Sequence, residues 1–223
     1  MKPKRRIQLS IALLLFCVGG TLAQGSFSTA LGPAFPTGPF AREDPWDSQA
    51  GRAGRGVGVG VCYHYQIAAS ALGLFGSADL AVNFSSSSAG DSWETFNPDA
   101  QFTFPKVIHL PLSAGLTYIL KNDPKFSLYG KSGVVVNWLK YTELVVKQPG
   151  YDKYSEKYDP SSALGYVLGV GISGKNIILE ARYMNPGKHQ IAGTWQEGND
   201  SGDLPQVKKK VEMVFITLGW KLF

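Results

Sequence analysis

Cysteine and long hydrophobic runs are both scarce in this chain. Its only cysteines are Cys17 and Cys62, and Cys17 lies in a segment that we expect to be removed on export. One remaining cysteine cannot form a disulfide within the chain, so no covalent link is expected to hold the fold together. Beyond residue 23 the sequence has no run of 18 apolar residues, which excludes a transmembrane helix there.

The first 23 residues have the pattern of a secretory signal peptide. Four basic residues precede an apolar segment at 7–18, and the small-residue sequence Thr21-Leu22-Ala23 follows. We therefore expect a cleaved signal peptide at 1–23 and one mature domain at 24–223. An uncleaved anchor is the alternative, but an apolar segment of about 12 residues is too short to span a bilayer.

The excess of positive charge belongs to the signal peptide. Four of the 22 Lys and Arg lie there and none of the 17 Asp and Glu, which leaves 18 basic against 17 acidic residues in the mature chain. The basic pI of about 9.1 therefore gives no support for nucleic-acid binding. An exported chain with no spanning helix is either a soluble β protein or a barrel in an outer membrane.

The most regular stretch of the chain is ALGYVLGVGISGKNIILEARY at 163–183. Its first half places large apolar residues on one face and mainly glycine and alanine on the other, with the period of two that a strand has. The alternation resumes after the turn Ser173-Gly174-Lys175-Asn176. This predicts a hairpin of two strands of about ten residues each, the length that a tilted strand needs to cross a bilayer.

The same alternation predicts eight strands in the mature chain. They cover 27–35, 55–67, 72–85, 107–120, 125–146, 163–172, 177–183 and 211–223. Long polar segments at 36–54, 86–105, 148–160 and 185–209 alternate with short turns between them. Transmembrane barrels sort their connections in this way and have an even number of strands, whereas a sandwich has no reason to do so. We therefore predict an all-β fold, an eight-stranded antiparallel up-and-down transmembrane β-barrel.

Aromatic residues near the strand ends predict the two interfacial girdles of such a barrel. The girdle beside the short turns would contain Tyr63, Tyr65, Tyr118, Phe126, Tyr129, Trp220 and Phe223. The girdle beside the long loops would contain Phe84, Phe104, Trp138 and Tyr141.

Two stretches resemble the small OmpA-like outer-membrane β-barrel proteins, particularly those of Bacteroidota. They are GYVLGVGISGKNIILEARY, Gly165 to Tyr183, and the terminal FITLGWKLF, which ends at Phe223. The resemblance implies a Gram-negative outer membrane as the location. It also implies contact with outer-membrane lipid and lipopolysaccharide, and insertion by the barrel assembly machinery, which reads the terminal strand. Here Phe223 shares its row with Lys221 and Gly219 instead of apolar residues, so the frame of the terminal strand stays open.

If the apolar rows face lipid, the other rows face the barrel interior. We expect a lumen polar network of Asp79, His109, Lys131, Asn137, Glu180, Arg182 and Glu212, with Cys62 and His64 also inward. An eight-stranded barrel is only wide enough for its own side chains, and buried charges need partners. We predict that Lys131 and Arg182 pair with the three acids and fill the lumen. A narrow proton or ion path is the alternative.

Motifs of soluble proteins occur without the structural context that they need. Gly169 to Asn176, GVGISGKN, ends in Asn where a P-loop has Ser or Thr, and it precedes a predicted strand instead of a helix. Gly56, Gly58 and Gly60 follow the strand period as small inward residues. We expect no cofactor.

A metal site receives as little support from the sequence. Asn199, Asp200 and Asp203 could hold a surface Ca²⁺, but the 12-residue EF-hand pattern is missing. We expect a solvated polar loop there and no metal.

A hydrolase is the main catalytic alternative. Gly90-Asp91-Ser92 resembles the start of a GDSL esterase motif, and only His189, expected in the last long loop, could approach Ser92. No spacing enforces that approach. We predict no catalytic residue, with a lipid A-modifying hydrolase as the alternative.

Three tyrosines of the third long segment are candidates for surface contact. Tyr151, Tyr154 and Tyr158 stand among charged residues, a composition that suits protein or glycan recognition. The predicted function is a non-enzymatic integral outer-membrane protein with a structural or surface-interaction role in the envelope. An envelope protein is the expected kind of partner, and an accessory subunit of a secretion or assembly machine is a further alternative.

Overall fold

The computed structural model describes residues 25–42, 50–67, 70–86 and 99–222. The expected signal peptide, Ser92 and Phe223 lie outside these residues. No helix in the described ranges is long and apolar enough to cross a membrane. The elements are β1 (Gly25–Pro36), α1 (Gly38–Ala41), β2 (Ala53–Gln66), β3 (Leu72–Ser85), β4 (Gln101–Thr103), β5 (Val107–Asn122), β6 (Ser127–Tyr141), β7 (Leu144–Lys147), β8 (Tyr154–Tyr158), β9 (Ser161–Ser173), β10 (Ile177–Glu197) and β11 (Asp200–Lys221).

Eight of the strands close into a ring. The order is β1-β2-β3-β5-β6-β9-β10-β11, and β11 pairs with β1 to complete it. Every neighbouring pair in the ring is antiparallel. All pairs except the closing pair join ring strands that are successive along the chain. The predicted eight-stranded up-and-down barrel is confirmed.

The outer surface of the ring is apolar. Val57 and Leu164 are 54% and 68% exposed, although both are large hydrophobic residues in regular strands. The same row around the barrel includes Val59, Leu74, Leu80, Leu110, Leu112, Leu116, Val134, Leu168, Val170, Ile172, Leu179, Ile216 and Leu218. A water-soluble protein rarely exposes so continuous an apolar surface, whereas a transmembrane barrel presents one to lipid.

The predicted girdles are partly wrong. Tyr118 and Trp220 are exposed near the short turns, and Trp138 is exposed at the other end. Tyr129 and Tyr141, however, are buried inside the barrel. A position near a strand end does not decide which face a side chain takes, and both tyrosines share the odd-numbered inward row of β6.

The fourth predicted long loop is a continuation of the barrel wall. β10 and β11 run on as an antiparallel hairpin through nearly all of 185–209, and Glu197 pairs with Asp200 across a two-residue turn. Gly198 takes a φ of 56° in that turn, a conformation that favours glycine. With 21 residues, β10 is about 70 Å long at about 3.3 Å per residue, so it extends well past a hydrocarbon core of about 30 Å.

The register of this long hairpin shifts at two irregularities, each beside a proline. One lies between Met184 and Gly187 and contains Pro186, and the other, between Ile191 and Gly193, faces Pro205 on β11. Proline cannot donate to a ladder, so bulges are where a strand tolerates it.

A small sheet extends the hairpin at the same end. The upper part of β10, from Gly193 to Glu197, pairs with β8, which pairs with β7, which pairs with β4. These three short strands lie in segments that we predicted as part of strand five or as loops. We call β4, β7, β8 and the upper parts of β10 and β11 the extension sheet, and we call the barrel end that it surmounts the mouth.

Side chains fill the barrel from the level of Lys131 to the mouth. Along β6 the inward positions from the turn end to the mouth are Lys131, Gly133, Val135, Asn137, Leu139 and Tyr141, all buried except the half-buried glycine. Polar layers therefore alternate with apolar ones. At the mouth, α1 places Phe40 in the interior with none of its surface exposed.

Candidate functional site

The lower polar layer of the lumen is an ion-pair network. The Arg182 guanidinium donates two parallel hydrogen bonds to Asp79, Nη1 to Oδ2 at 2.8 Å and Nη2 to Oδ1 at 2.7 Å. Lys131 Nζ donates to Glu180 Oε1 at 2.7 Å. All four side chains are at most 7% exposed. Two cations and two anions neutralise each other here, as desolvated charges must.

One contact in the network is electrostatic only. Arg182 Nε lies 2.8 Å from Glu180 Oε1, yet the direction of its N–H leaves it without a hydrogen bond among the described residues. The distance still places the carboxylate within reach of both cations. The Tyr129 hydroxyl donates to the second carboxylate oxygen of Glu180 at 2.7 Å, so Tyr129 is part of the network.

Glu212 lies apart from the other two acids. It pairs with Lys210 at 2.7 Å and accepts hydrogen bonds from Tyr183 and Asn185. We expected Lys131 or Arg182 to pair with Glu212, and the structure does not show this pairing. The next residue, Met213, lies opposite Pro36 at the mouth end of β1, so Glu212 lies nearer the mouth than the ion-pair network.

Glycines make room for the network. A Cβ at position 60 would overlap the Asp79 carboxylate, and one at position 169 would lie 3.1 Å from both Lys131 Cγ and Arg182 Cγ. Gly60 of β2 and Gly169 of β9 therefore have a specific role in the lumen. They provide the volume that the charged side chains occupy.

The upper polar layer contains two histidines joined by an amide. Asn137 Nδ2 lies 3.4 Å from His109 Nδ1 and 3.2 Å from His189 Nε2, and His189 Nδ1 lies 3.3 Å from Ser161 Oγ. Phe40 packs edge-on against the His109 ring at 5.4 Å. Both imidazoles are fully buried.

The position of His189 corrects the hydrolase hypothesis. That hypothesis needed a histidine in an outer loop, but His189 lies on β10 inside the barrel. Its partners there are Asn137 and Ser161, and none of the three residues lines the cavity at the mouth.

A cavity of about 520 Å³ lies at the mouth, a volume typical of sites for small ligands. Its walls come from the extension sheet and from the segments that lead into β2 and β5, and Tyr141 lines it from the top of the barrel. The lining side chains are mainly apolar: Phe102, Phe104, Pro105, Tyr141, Leu144, Val146, Tyr154, Tyr158, Ile191, Leu204, Pro205 and Val207. Arg52, Glu156 and Lys209 are its charged residues. The sequence did not predict it.

Two of the predicted contact tyrosines belong to this cavity. Tyr154 donates to Glu156 Oε1 at 2.8 Å, and Tyr158 donates to Glu156 Oε2. Burial, followed by the hydrogen bond to Glu156, raises the pKa of both hydroxyls above its ordinary value. Tyr158 also packs against Tyr141, with ring centroids 5.4 Å apart. Of the three predicted residues, Tyr151 is the one presented outward, at 69% exposure.

The remaining motifs have structural explanations. Gly169 to Asn176 ends β9 and forms the turn to β10, so no helix follows it as a P-loop requires. Asn199 and Asp200 form the tip of the long hairpin. Within the described ranges, no group of three or more histidine, cysteine or acidic residues is arranged to hold a metal.

Comparisons with known proteins return solved structures only. No protein-family model matches the chain, and no curated protein matches it. Neisserial surface protein A is 14% identical with a TM-score of 0.45 over 89% of this chain and 96% of that chain. The outer membrane protein OprG from Pseudomonas aeruginosa is 15% identical with a TM-score of 0.49 over 89% and 96%. Ail, the attachment invasion locus protein of Yersinia pestis, is 15% identical with a TM-score of 0.40 over 89% and 97%. The assignment of the fold rests on the closed ring of strands, and the OmpA-like Bacteroidota resemblance stays a prediction.

Proposed function

We propose that this protein is an integral outer-membrane barrel that does not conduct and that presents a rigid surface for contact outside the bilayer. The single observation that supports this proposal most is the combination of an apolar exterior with a lumen filled by paired charges. The exterior suits contact with membrane lipid, including the lipopolysaccharide of the outer leaflet. Between the ion pairs and the histidines the interior is filled by buried side chains, among them Val135 and Ser113, and we infer that no ion path runs through it.

The extension sheet supplies the contact surface. Two hairpin tips meet at its top, since a Cβ on Gly198 would touch the Asp152 side chain. Tyr151 projects beside them with most of its surface in solvent. Tyr151 stands among charged residues in the turn between β7 and β8, and an exposed tyrosine suits protein contact because it offers a large contact area with little side-chain entropy to lose. We propose an envelope protein as the partner.

Site-specific photo-crosslinking in cells tests the contact surface. A photoreactive phenylalanine at position 151 is expected to give one discrete adduct with another envelope protein. The same residue at position 158, which faces the cavity, is the matched control on the same hairpin and is expected to give none. Equal labelling at both positions, or none at 151, would refute a specific contact.

Conductance in planar bilayers tests the closed lumen. We expect inserted protein to give no steady ion current. Stable channels in the wild type that change their conductance when Lys131 is replaced by Met would establish the ion path instead.

The hydrolase alternative draws no support from the geometry of His189, and mass spectrometry of lipid A from a deletion strain tests it. Unchanged lipid A is the expected result. The accessory-subunit alternative differs from our proposal only in the identity of the partner, which the adduct at position 151 would reveal.

A further inference from the structure

We propose that the cavity at the mouth binds a free single-headed amphiphile, a molecule with an apolar chain and one oxygen-bearing head group such as a fatty acid. This proposal goes beyond the surface contact described above. It depends on the cavity alone and not on Tyr151 or on any protein partner.

The cavity has a closed floor. Tyr141 lines its lower side with 6% of its surface exposed, and Leu139 and Asn137 fill the next inward positions of β6 without exposed surface. A molecule that enters from the mouth therefore stops there. The site is suited to binding and offers no passage through the barrel.

The walls select an apolar body. β7 contributes Leu144 and Val146, and the upper parts of β10 and β11 contribute Ile191, Leu204 and Val207. Each of these strands pairs with its neighbours through the backbone, so the side chains that line the cavity are fixed in direction. Burying an aliphatic chain against such a lining is favourable in proportion to the apolar surface removed from water.

The floor selects the head group. The Tyr141 hydroxyl is buried and has no hydrogen-bond partner among the described residues. A buried donor is stabilised when a ligand supplies an oxygen acceptor. Lys209, whose ammonium group donates to the Ala50 carbonyl, lies 5.9 Å from the centre of the Tyr141 ring and adds positive potential at the same place.

Apolar side chains predominate in the lining, and this argues against ligands that carry many polar groups. A sugar or a peptide would bring many hydrogen-bonding groups into a mainly apolar cavity, and each one left unpaired would weaken binding. A fatty acid has its polar atoms in one carboxylate, whose oxygens the Tyr141 hydroxyl and the Lys209 charge can serve. Glu156 does not alter this selection, because two tyrosine hydroxyls already occupy its carboxylate.

The test is photolabelling with hexadecanoic acid that carries a diazirine in its chain. The full mature protein is held in phosphatidylcholine nanodiscs, and mass spectrometry locates the label. We expect saturable labelling of cavity residues that unlabelled hexadecanoic acid competes away. Label confined to the lipid-facing rows, or labelling that does not saturate, would overturn the proposal.

Two neighbouring valines provide a matched pair of variants. Val146→Trp fills the cavity and is expected to abolish the saturable labelling. Val145→Trp adds the same bulk on the same strand but points the other way, and Val145 is not among the lining residues, so labelling is expected to stay at the wild-type level. Equal labelling in the two variants would overturn the proposal.

Tyr141→Phe keeps the ring and removes only the hydroxyl, so it tests the head group even if the bulkier variant does not fold. The acid should compete roughly twofold to tenfold less well in this variant, while hexadecane, which has no acceptor, should compete as in the wild type. An equal loss for both competitors would overturn the assigned head group. Finally, nanodiscs made with a diazirine-bearing phospholipid distinguish the source, because cavity labelling from that lipid and none from the free acid would show that a bilayer acyl chain is the occupant.

Discussion

Removing Arg182 is predicted to cost more stability than any single change at the barrel rim. Its guanidinium makes both hydrogen bonds to Asp79, and the two side chains are 3% and 4% exposed. Arg182→Met leaves the Asp79 carboxylate buried without its cation. Breaking a buried pair in this way typically costs about 3–5 kcal/mol, mainly because the remaining charge is desolvated.

Two further variants separate this effect from general damage. Lys210→Met removes the cation of a pair whose lysine is 40% exposed, and Glu212 keeps its hydrogen bonds from Tyr183 and Asn185. Its expected cost is about 0–1 kcal/mol. In the double variant Asp79→Leu with Arg182→Met, no charge is orphaned, so most of the lost stability should return.

The assay is equilibrium unfolding in urea from detergent micelles, followed by tryptophan fluorescence and extrapolated to zero denaturant. We expect the free energy of unfolding to be highest in the wild type, lower in Lys210→Met, lower again in the double variant and lowest in Arg182→Met. The reasoning is refuted if Arg182→Met is no less stable than Lys210→Met, or if the double variant is as unstable as Arg182→Met alone.

Three further predictions follow from the lumen and the extension sheet. Gly60→Ala should lower the free energy of unfolding by about 1–3 kcal/mol, because the new Cβ overlaps the Asp79 carboxylate. Gly76→Ala is the control, since a Cβ at that position meets no atom within 4 Å. Equal losses of stability in the two variants would contradict the steric argument. The pKa of Tyr158 is raised by burial and by Glu156, so the stability that it contributes is present below its unfolded pKa of about 10 and is lost as pH rises through the higher folded value. We expect the difference between the tyrosinate absorbance titrations of the wild type and of Tyr158→Phe to have its midpoint above the unfolded pKa of about 10. A midpoint at about 10 would show that Glu156 does not hold the hydroxyl. Backbone amides at 188–197 should exchange slowly with deuterium, as strand ladders do. If they exchange as fast as the amides of the turn at 148–153, the long hairpin does not form in solution.

The part of the fold in contact with lipid could be predicted from the sequence. Lipid requires an apolar side chain at every second position of a spanning strand, so Leu164, Leu168 and Ile172 specify both a strand and its outward face. The predicted boundaries of β3 are those of the structure, whereas β2 begins two residues earlier and ends one residue earlier than predicted. No such requirement applies above the bilayer, where the same ladder continues with polar residues on both faces.

The prediction of a loop in place of the long hairpin is wrong for that reason. Pro186-Gly187 and Pro205 look like turn residues, and in the structure they mark bulges inside continuous strands. A better signal is present in Gly198-Asn199, a dipeptide typical of two-residue hairpin turns.

The candidate sites divide in the same way. Parity along the strands is enough to place Asp79, Lys131, Glu180 and Arg182 in one lumen, but it cannot assign partners around the ring, so it groups Glu212 with cations that this residue does not meet. The mouth cavity has no sequence signal at all. Its walls come from segments that are far apart in the chain, and the direction of Tyr154 and Tyr158 depends on the pairing of β8 with β10.

The change of partner along β10 divides this strand into two zones. Residues 178–185 of this strand pair with β9, and residues 193–197 pair with β8. Both bulges lie at or between these two zones, where an extra residue can be absorbed without turning the following side chains to the wrong face. The extension sheet could therefore be lengthened or replaced, in evolution or by design, while the strands embedded in lipid keep their register.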